Sequence, residues 1–281
     1  MKLLRFGPVG QERPGVLDAD GAVRDLTGAV PDFAGPHVAL ETLSHLHDLN
    51  ISALPLVADP GRIGACLGWV PNFICIGLNY AQHAAETGAA TPKEPIVFNK
   101  VTSALAGPFD DLTLLRDSVA TDWEVELGVV IGRPAQYVSE AKALSHVAGY
   151  CTLNDISERD WQKSRGGQWV KGKSGPGYGP IGPWLVTADE VPDPQALRLT
   201  LDLDGQRMQD SATSDMIFSV AEIIAYLSRF CLLMPGDIIA TGTPSGVGMG
   251  MSPARYLKPG EIMEAEVEGL GRQRTQVRAA D

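Results

Sequence analysis

From residue 73 onward, extended apolar runs dominate and few apolar residues recur at helical spacing. Such runs occupy residues 73–77, 96–98, 123–131, 147–154, 197–203 and 237–241, and their β-branched and aromatic content favours extended chain. Only one stretch, DMIFSVAEIIAYLSRF at 215–230, repeats apolar residues like a sizeable helix, and Pro235 and Gly236 follow it as terminators. Shorter helices are expected at 81–87, 139–144 and 157–163. Strands that do not alternate with long helices argue against a doubly wound or barrel α/β fold and predict an α+β, β-rich core with peripheral helices. The N-terminal part reads KLLRFG, PGVLD, an Asp20-Gly21 turn and AVRDLT, which predicts a small β-rich unit. A helical stretch, VALETLSHLHDLN, and a Gly- and Pro-bearing connector, ADPGRIGACLGWVPN, follow it. The expected division is a small domain over 1–70 and a catalytic one over 71–281.

A chain of 281 residues can bury a substantial core without disulfides. Cys66, Cys75, Cys151 and Cys231 stand singly, without the spacing of a zinc or redox site, and read as small core residues. The formal charge of -11 and the lack of a basic run leave no general attraction for nucleic acid or anionic membrane, so an anionic ligand needs local cations. No apolar stretch is long enough to span a membrane, and the N-terminus meets Pro and Gly too early for a signal peptide. A cytoplasmic location is expected.

The run TDWEVELGVVIG (residues 121–132) sets Glu124 and Glu126 two residues apart among Trp123, Val125, Leu127, Val129, Val130 and Ile131. Alternation along a strand points both glutamates to one face, about 6.5 Å apart at Cα. Two bare carboxylates that close are costly in a dry interior, so a cation is expected between them. Asp155, in GYCTLNDISERDWQ where an apolar run turns polar, adds a third oxygen donor. A set without His or Cys suits Mg²⁺, Mn²⁺ or Ca²⁺ over Zn²⁺. The same pattern also fits the solvent face of an edge strand, with Asp155 as a helix N-cap.

Three further stretches carry candidate chemistry. In GLNYAQHAAETG, His83 and Glu86 share one face of a short helix, where the glutamate can orient an imidazole that takes a proton from water; a casual surface pair has the same spacing. The Gly-rich run at 165–183 matches no nucleotide fingerprint and reads as a loop or lid able to bring Lys173 over a site. In PGDIIATGTPSGVG, Thr243 offers a hydroxyl and the turn offers backbone N–H groups.

In this order, GLNYAQHAAE, DWEVELGVVIG, AGYCTLNDISERDWQ, GQWVKGKS, GPIGPWLVT, PGDIIATGTPSGVG and YLKPGE resemble the fumarylacetoacetate hydrolase family, from about residue 73 to the C-terminus. The resemblance implies a mixed β-sandwich or roll catalytic core, a homodimer, and a divalent metal, Mg²⁺ or alternatively Mn²⁺, on Glu124, Glu126 and Asp155. It further implies water activation by His83 and Glu86, a charge-stabilising Lys173, and keto-acid contacts from Gln162 and Thr243. Arg159 and Lys100 carry over more loosely. The chain departs from the family pattern after KS, where Gly177 stands in place of a common threonine and Tyr178 in place of a common phenylalanine. The tyrosine could add a hydroxyl to the site or simply pack in the core.

Within the family the chain looks most like bacterial hydrolases of 2,4-diketo-3-deoxy-L-rhamnonate and L-fuconate. The implied reaction attacks the C4 ketone with water and releases pyruvate and L-lactate. Acylpyruvate hydrolysis and oxaloacetate decarboxylation could use the same residues. A binding protein that kept the site and lost catalysis is the alternative from another class.

Overall fold

The computed structural model describes residues 1–280. Its centre is a nine-stranded sheet in the spatial order Val23–Asp25, Arg13–Leu17, Lys2–Phe6, Leu185–Thr187, Val147–Asn154, Val125–Ile131, Ile238–Ala240, Phe73–Gly77 and Ile96–Lys100. Neighbours run antiparallel except Ile238–Ala240 and Phe73–Gly77, which are parallel. A second sheet of five orders Gln206–Ala212, Arg198–Leu203, Ile262–Val267, Gly271–Arg278 and Leu112–Thr113. The expected α+β, β-rich architecture is what the chain adopts.

Two cores lie on the two faces of the central sheet. Val125, Leu127, Val129 and Ile131 point into one, with Leu199, Leu201, Ala265 and Val267 of the second sheet and Ile223, Ile224 and Leu227 of the Val220–Leu227 helix. That helix starts on a capping box, Ser219 Oγ accepting from Glu222 N–H and the Glu222 carboxylate accepting from Ser219 N–H. Val130 points the other way, into a core shared with Leu3, Val16, Phe33, Leu43, Leu46, Cys75, Cys151 and Ile238. The N-terminal strands therefore extend the central sheet, with Leu3 opposite Leu185, and complete its second core. No helix among the described residues is long and apolar enough to cross a membrane.

The position of the Val125–Ile131 strand decides between the two readings of its glutamates. It is central, paired on one side with Val147–Asn154 and on the other with Ile238–Ala240, and every residue in it is buried. An exposed strand face is excluded. Asp155 is not a helix cap: the Arg159–Lys163 helix is capped by Glu158, which accepts from Asp160 N–H. The helix expected at 157–163 starts at Arg159 because Ser157 and Glu158 pair as a short strand with Thr121 and Asp122.

Candidate metal centre and catalytic cavity

Register brings the three carboxylates together. In the antiparallel pair, Asn154 faces Val125 and Leu153 faces Glu126, so the next residue, Asp155, comes beside Glu124 and donates its N–H to the Glu124 carbonyl at 2.8 Å. One oxygen from each of Glu124, Glu126 and Asp155 lies within 4.8 Å of the others, and all three residues are buried. No strand alone could achieve this. The pair of strands does it through side-chain alternation on one and the end of pairing on the other.

Three cations from three other elements surround the cluster. Lys173, at the end of the short Val170–Lys173 helix, donates to Glu124 Oε2 and Asp155 Oδ2, each at 2.6 Å. Lys100, the last residue of the Ile96–Lys100 strand, pairs with Asp155 Oδ1 and donates to the Ile156 carbonyl at 3.1 Å. Arg159 pairs with Glu124 Oε1 at 2.7 Å and donates through Nε to Asp122 Oδ2 at 2.9 Å. Burial opposes ionisation of Glu124, yet Arg159 and Lys173 outweigh it and hold its carboxyl well below the usual range. Glu126 differs. It accepts from Gly242 N–H at 2.8 Å and makes no ion pair among the described residues. Burial first, then the Asp155 and Glu124 carboxylates, push its carboxyl well above the ordinary value. Three converging oxygens, one of them without a cationic partner, fit a divalent ion that takes oxygen ligands.

Glu124 and Glu126 of the cluster line the floor of a cavity of about 160 Å³, together with His83, Arg159, Gln162, Lys163, Lys173, Thr243 and Met249. His83 is buried on the Ala81–Glu86 helix, and its Nδ1 lies 2.8 Å from Glu86 Oε1. Glu86 Oε2 accepts from Gly246 N–H at 2.9 Å, which anchors the carboxylate on its far side. With Nδ1 engaged, Nε2 is the ring nitrogen left for a water. Thr243 donates to the Val125 carbonyl at 2.9 Å and accepts from Gln209 Nε2 at 2.8 Å, so its hydroxyl proton is already committed. Gln162 lines the cavity while its Oε1 accepts from Arg159 Nη1 at 3.1 Å, leaving its amide N–H groups as donors.

Two expected contacts lie outside the cavity. Lys100 sits beneath Asp155 and does not line it. Tyr178 is fully buried in the core, its hydroxyl 3.1 Å from Thr121 Oγ1, so the packing alternative describes it. Lys173, expected on a lid, is instead buried at a helix end between two carboxylates. Gly177 has a φ of +81°, a region where threonine is strained, which accounts for glycine at this position.

Several contributors had no visible sequence signal. Asp122 is wholly buried and accepts from Trp123, Gly248 and Met249 N–H as well as from Arg159, tying the 246–250 turn that supports Glu86 to the arginine that supports Glu124. Trp169 and Phe98 form a wall of the cavity with ring centroids 5.0 Å apart. A Cβ on Gly77 would come 2.6 Å from the Trp169 ring, so that wall requires glycine there.

Residues 72–278 match the family model described as fumarylacetoacetate (FAA) hydrolase C-terminal. A Burkholderia multivorans protein, provisionally named a hydrolase, is 59% identical over the whole of both chains, and one from Burkholderia lata is 57% identical over the same span. Among solved structures, fumarylacetoacetate hydrolase from Exiguobacterium antarcticum superposes with a TM-score of 0.88 at 36% identity over 99% of each chain. A Mycobacterium abscessus protein, provisionally titled a 2-hydroxyhepta-2,4-diene-1,7-dioate isomerase, gives 0.84 at 33% identity over 100% of each. With that family model matched over most of its length, the chain belongs to the fumarylacetoacetate hydrolase family.

Proposed function

We infer that this protein is a metal-dependent hydrolase of a carbon–carbon bond in a 2,4-diketo acid, with 2,4-diketo-3-deoxy-L-rhamnonate or its L-fuconate equivalent as the favoured substrate and Mg²⁺ as the favoured ion. The observation that carries this reading is one cavity lined by Glu124 and Glu126 of a three-carboxylate cluster and by the buried His83, whose ring meets the half-buried Glu86. An ion held by Glu124, Glu126 and Asp155 would supply Lewis-acid charge for the substrate's carboxylate and C2 ketone. Lys173 adds positive charge at the same floor, and Gln162 offers amide donors to the keto-acid oxygens. His83 Nε2 takes a proton from a water, and the resulting hydroxide adds to the C4 ketone. The C3–C4 bond then breaks, its electron pair going to C3 as the enolate of pyruvate, while C4 leaves as the carboxyl of L-lactate. Protonation at C3 completes pyruvate. Following the family resemblance, the working unit is taken to be a homodimer.

His83→Ala should lower turnover about 10²- to 10⁴-fold, the range of a general base, with metal affinity kept. The assay is direct derivatisation of released pyruvate from the diketo acid, with and without EDTA. A variant that cleaves at the wild-type rate would remove His83 as the base. Decarboxylation of oxaloacetate needs no attacking water, so it should survive this substitution better than C–C hydrolysis, which separates the two reactions.

A further inference from the structure

We propose that Lys163 selects the substrate by its far end, favouring an acid whose tail beyond C4 carries an oxygen function, hydroxyl or carboxylate, over one that ends in bare alkyl. This rests on the reading of the cavity as a diketo-acid site. Three cationic side chains line that cavity: Arg159, Lys163 and Lys173. Lys173 is held between Glu124 and Asp155, and Arg159 between Asp122 and Glu124. Lys163 makes no ion pair or side-chain hydrogen bond among the described residues. It is the cavity cation with no carboxylate already committed to it, in a chain whose formal charge of -11 makes an unpartnered ammonium beside a binding site stand out.

Depth assigns this cation to the tail. Glu124, Glu126 and Lys173 are buried at the floor, whereas Lys163 ends the Arg159–Lys163 helix and is exposed at the mouth. Arg159 and Lys163 stand four residues apart, on the same side of that helix. A diketo acid with its carboxylate and C2 ketone at the floor would extend past C4 towards the mouth, between the Phe98–Trp169 wall and the lysine. Partial burial and the nearby Arg159 lower the Lys163 pKa more than Glu124 and Asp122 raise it, and an oxygen of the substrate would replace water on this ammonium.

The test compares wild type, Lys163→Met and Lys163→Arg on three acids that share the keto-acid end: acetylpyruvate with an alkyl tail, 2,4-diketo-3-deoxy-L-rhamnonate with a hydroxylated tail, and succinylpyruvate with a carboxylate tail. For Lys163→Met we expect kcat/KM to fall about 10- to 100-fold on the two oxygenated acids, mainly through KM, and less than about twofold on acetylpyruvate. Lys163→Arg should recover most of the loss. An equal loss on all three would place Lys163 at the shared keto-acid end, and no loss on any would remove it from recognition; either result overturns the proposal. If wild type cleaves none of the three, the hydrolase reading falls separately, and calorimetric binding of the same acids to the three proteins decides the Lys163 inference by the same pattern.

Discussion

Replacing Glu126 with glutamine should act in opposite directions on the metal-free and metal-loaded protein, and the size of each effect follows from the surroundings of this carboxylate. Glutamine keeps nearly the same shape and an oxygen to accept from Gly242 N–H. What it removes is a buried charge that lies beside Glu124 and Asp155 without a cationic partner. In the unfolded chain this glutamate ionises near its ordinary value of 4.5, and in the metal-free fold burial and the two carboxylates hold the proton on to higher pH. Between those two values the folded state binds more protons, so wild-type stability falls as pH rises, by up to about 1.4 kcal/mol per pH unit, until the folded group ionises. The variant lacks this loss. In EDTA the two proteins should melt together near pH 4.5, and the variant should gain up to about 3 °C per pH unit above it, taking about 2 °C per kcal/mol for a chain of this length. With Mg²⁺ at about a hundred times its dissociation constant, wild type should gain about 2.7 kcal/mol, or about 5 °C, and the variant almost nothing. Differential scanning fluorimetry across pH, with EDTA and with Mg²⁺, reads both effects. A variant that is less stable than wild type in EDTA at every pH, or that keeps the full metal-induced rise, would refute the argument.

Tyr178→Phe removes a hydroxyl that meets Thr121 inside the core, so it should cost about 1 kcal/mol of stability and leave kcat/KM within about twofold of wild type. A large loss of activity at unchanged stability would return that hydroxyl to the site. Gly177→Thr restores the residue common in relatives but forces a β-branched side chain to φ +81°, where the nearest atom met by a Cβ is Leu112 Cδ1 at 3.9 Å. Space is not the obstacle, so the expected cost of about 1–2 kcal/mol in urea unfolding is backbone strain, and a neutral result would show that the segment adjusts.

Residues buried on both sides made the central sheet legible. Apolar runs located the strands Phe73–Gly77 and Val147–Asn154 to their ends, since a strand packed between two cores carries apolar side chains in both directions. The second sheet was only partly visible for the opposite reason. Ile262–Val267 alternates buried Met263, Ala265 and Val267 with half-buried Ile262, Glu264 and Glu266, and Gly271–Arg278 exposes Arg272, Arg274 and Arg278, so neither forms an apolar run. Period-two alternation disclosed that Glu124 and Glu126 converge. It could not disclose that Asp155 meets them, because that depends on the register between two strands. Lys163 carries no sequence signal, because an ammonium at a helix end resembles any surface lysine without the cavity beside it.

The ion pairs around the floor explain why most of these buried charges persist in the fold. Lys100, Arg159 and Lys173 come from a strand at the sheet edge, a helix and a Gly-rich segment, and each would be a buried unpaired charge without Glu124, Asp155 or Asp122. Breaking such a pair typically costs about 3–5 kcal/mol, although replacing the whole set by apolar residues often costs nothing. Net stability is therefore a poor reason for the cluster, and its better-supported role is to fix three separate elements around one cavity. Glu126 stands apart from this logic. It makes no ion pair among the described residues, and burial with the Asp155 and Glu124 carboxylates opposes its charge more than Lys173 and Gly242 N–H favour it, so among the cluster carboxylates it is the one whose ionisation is most open to a cation bound in the cavity.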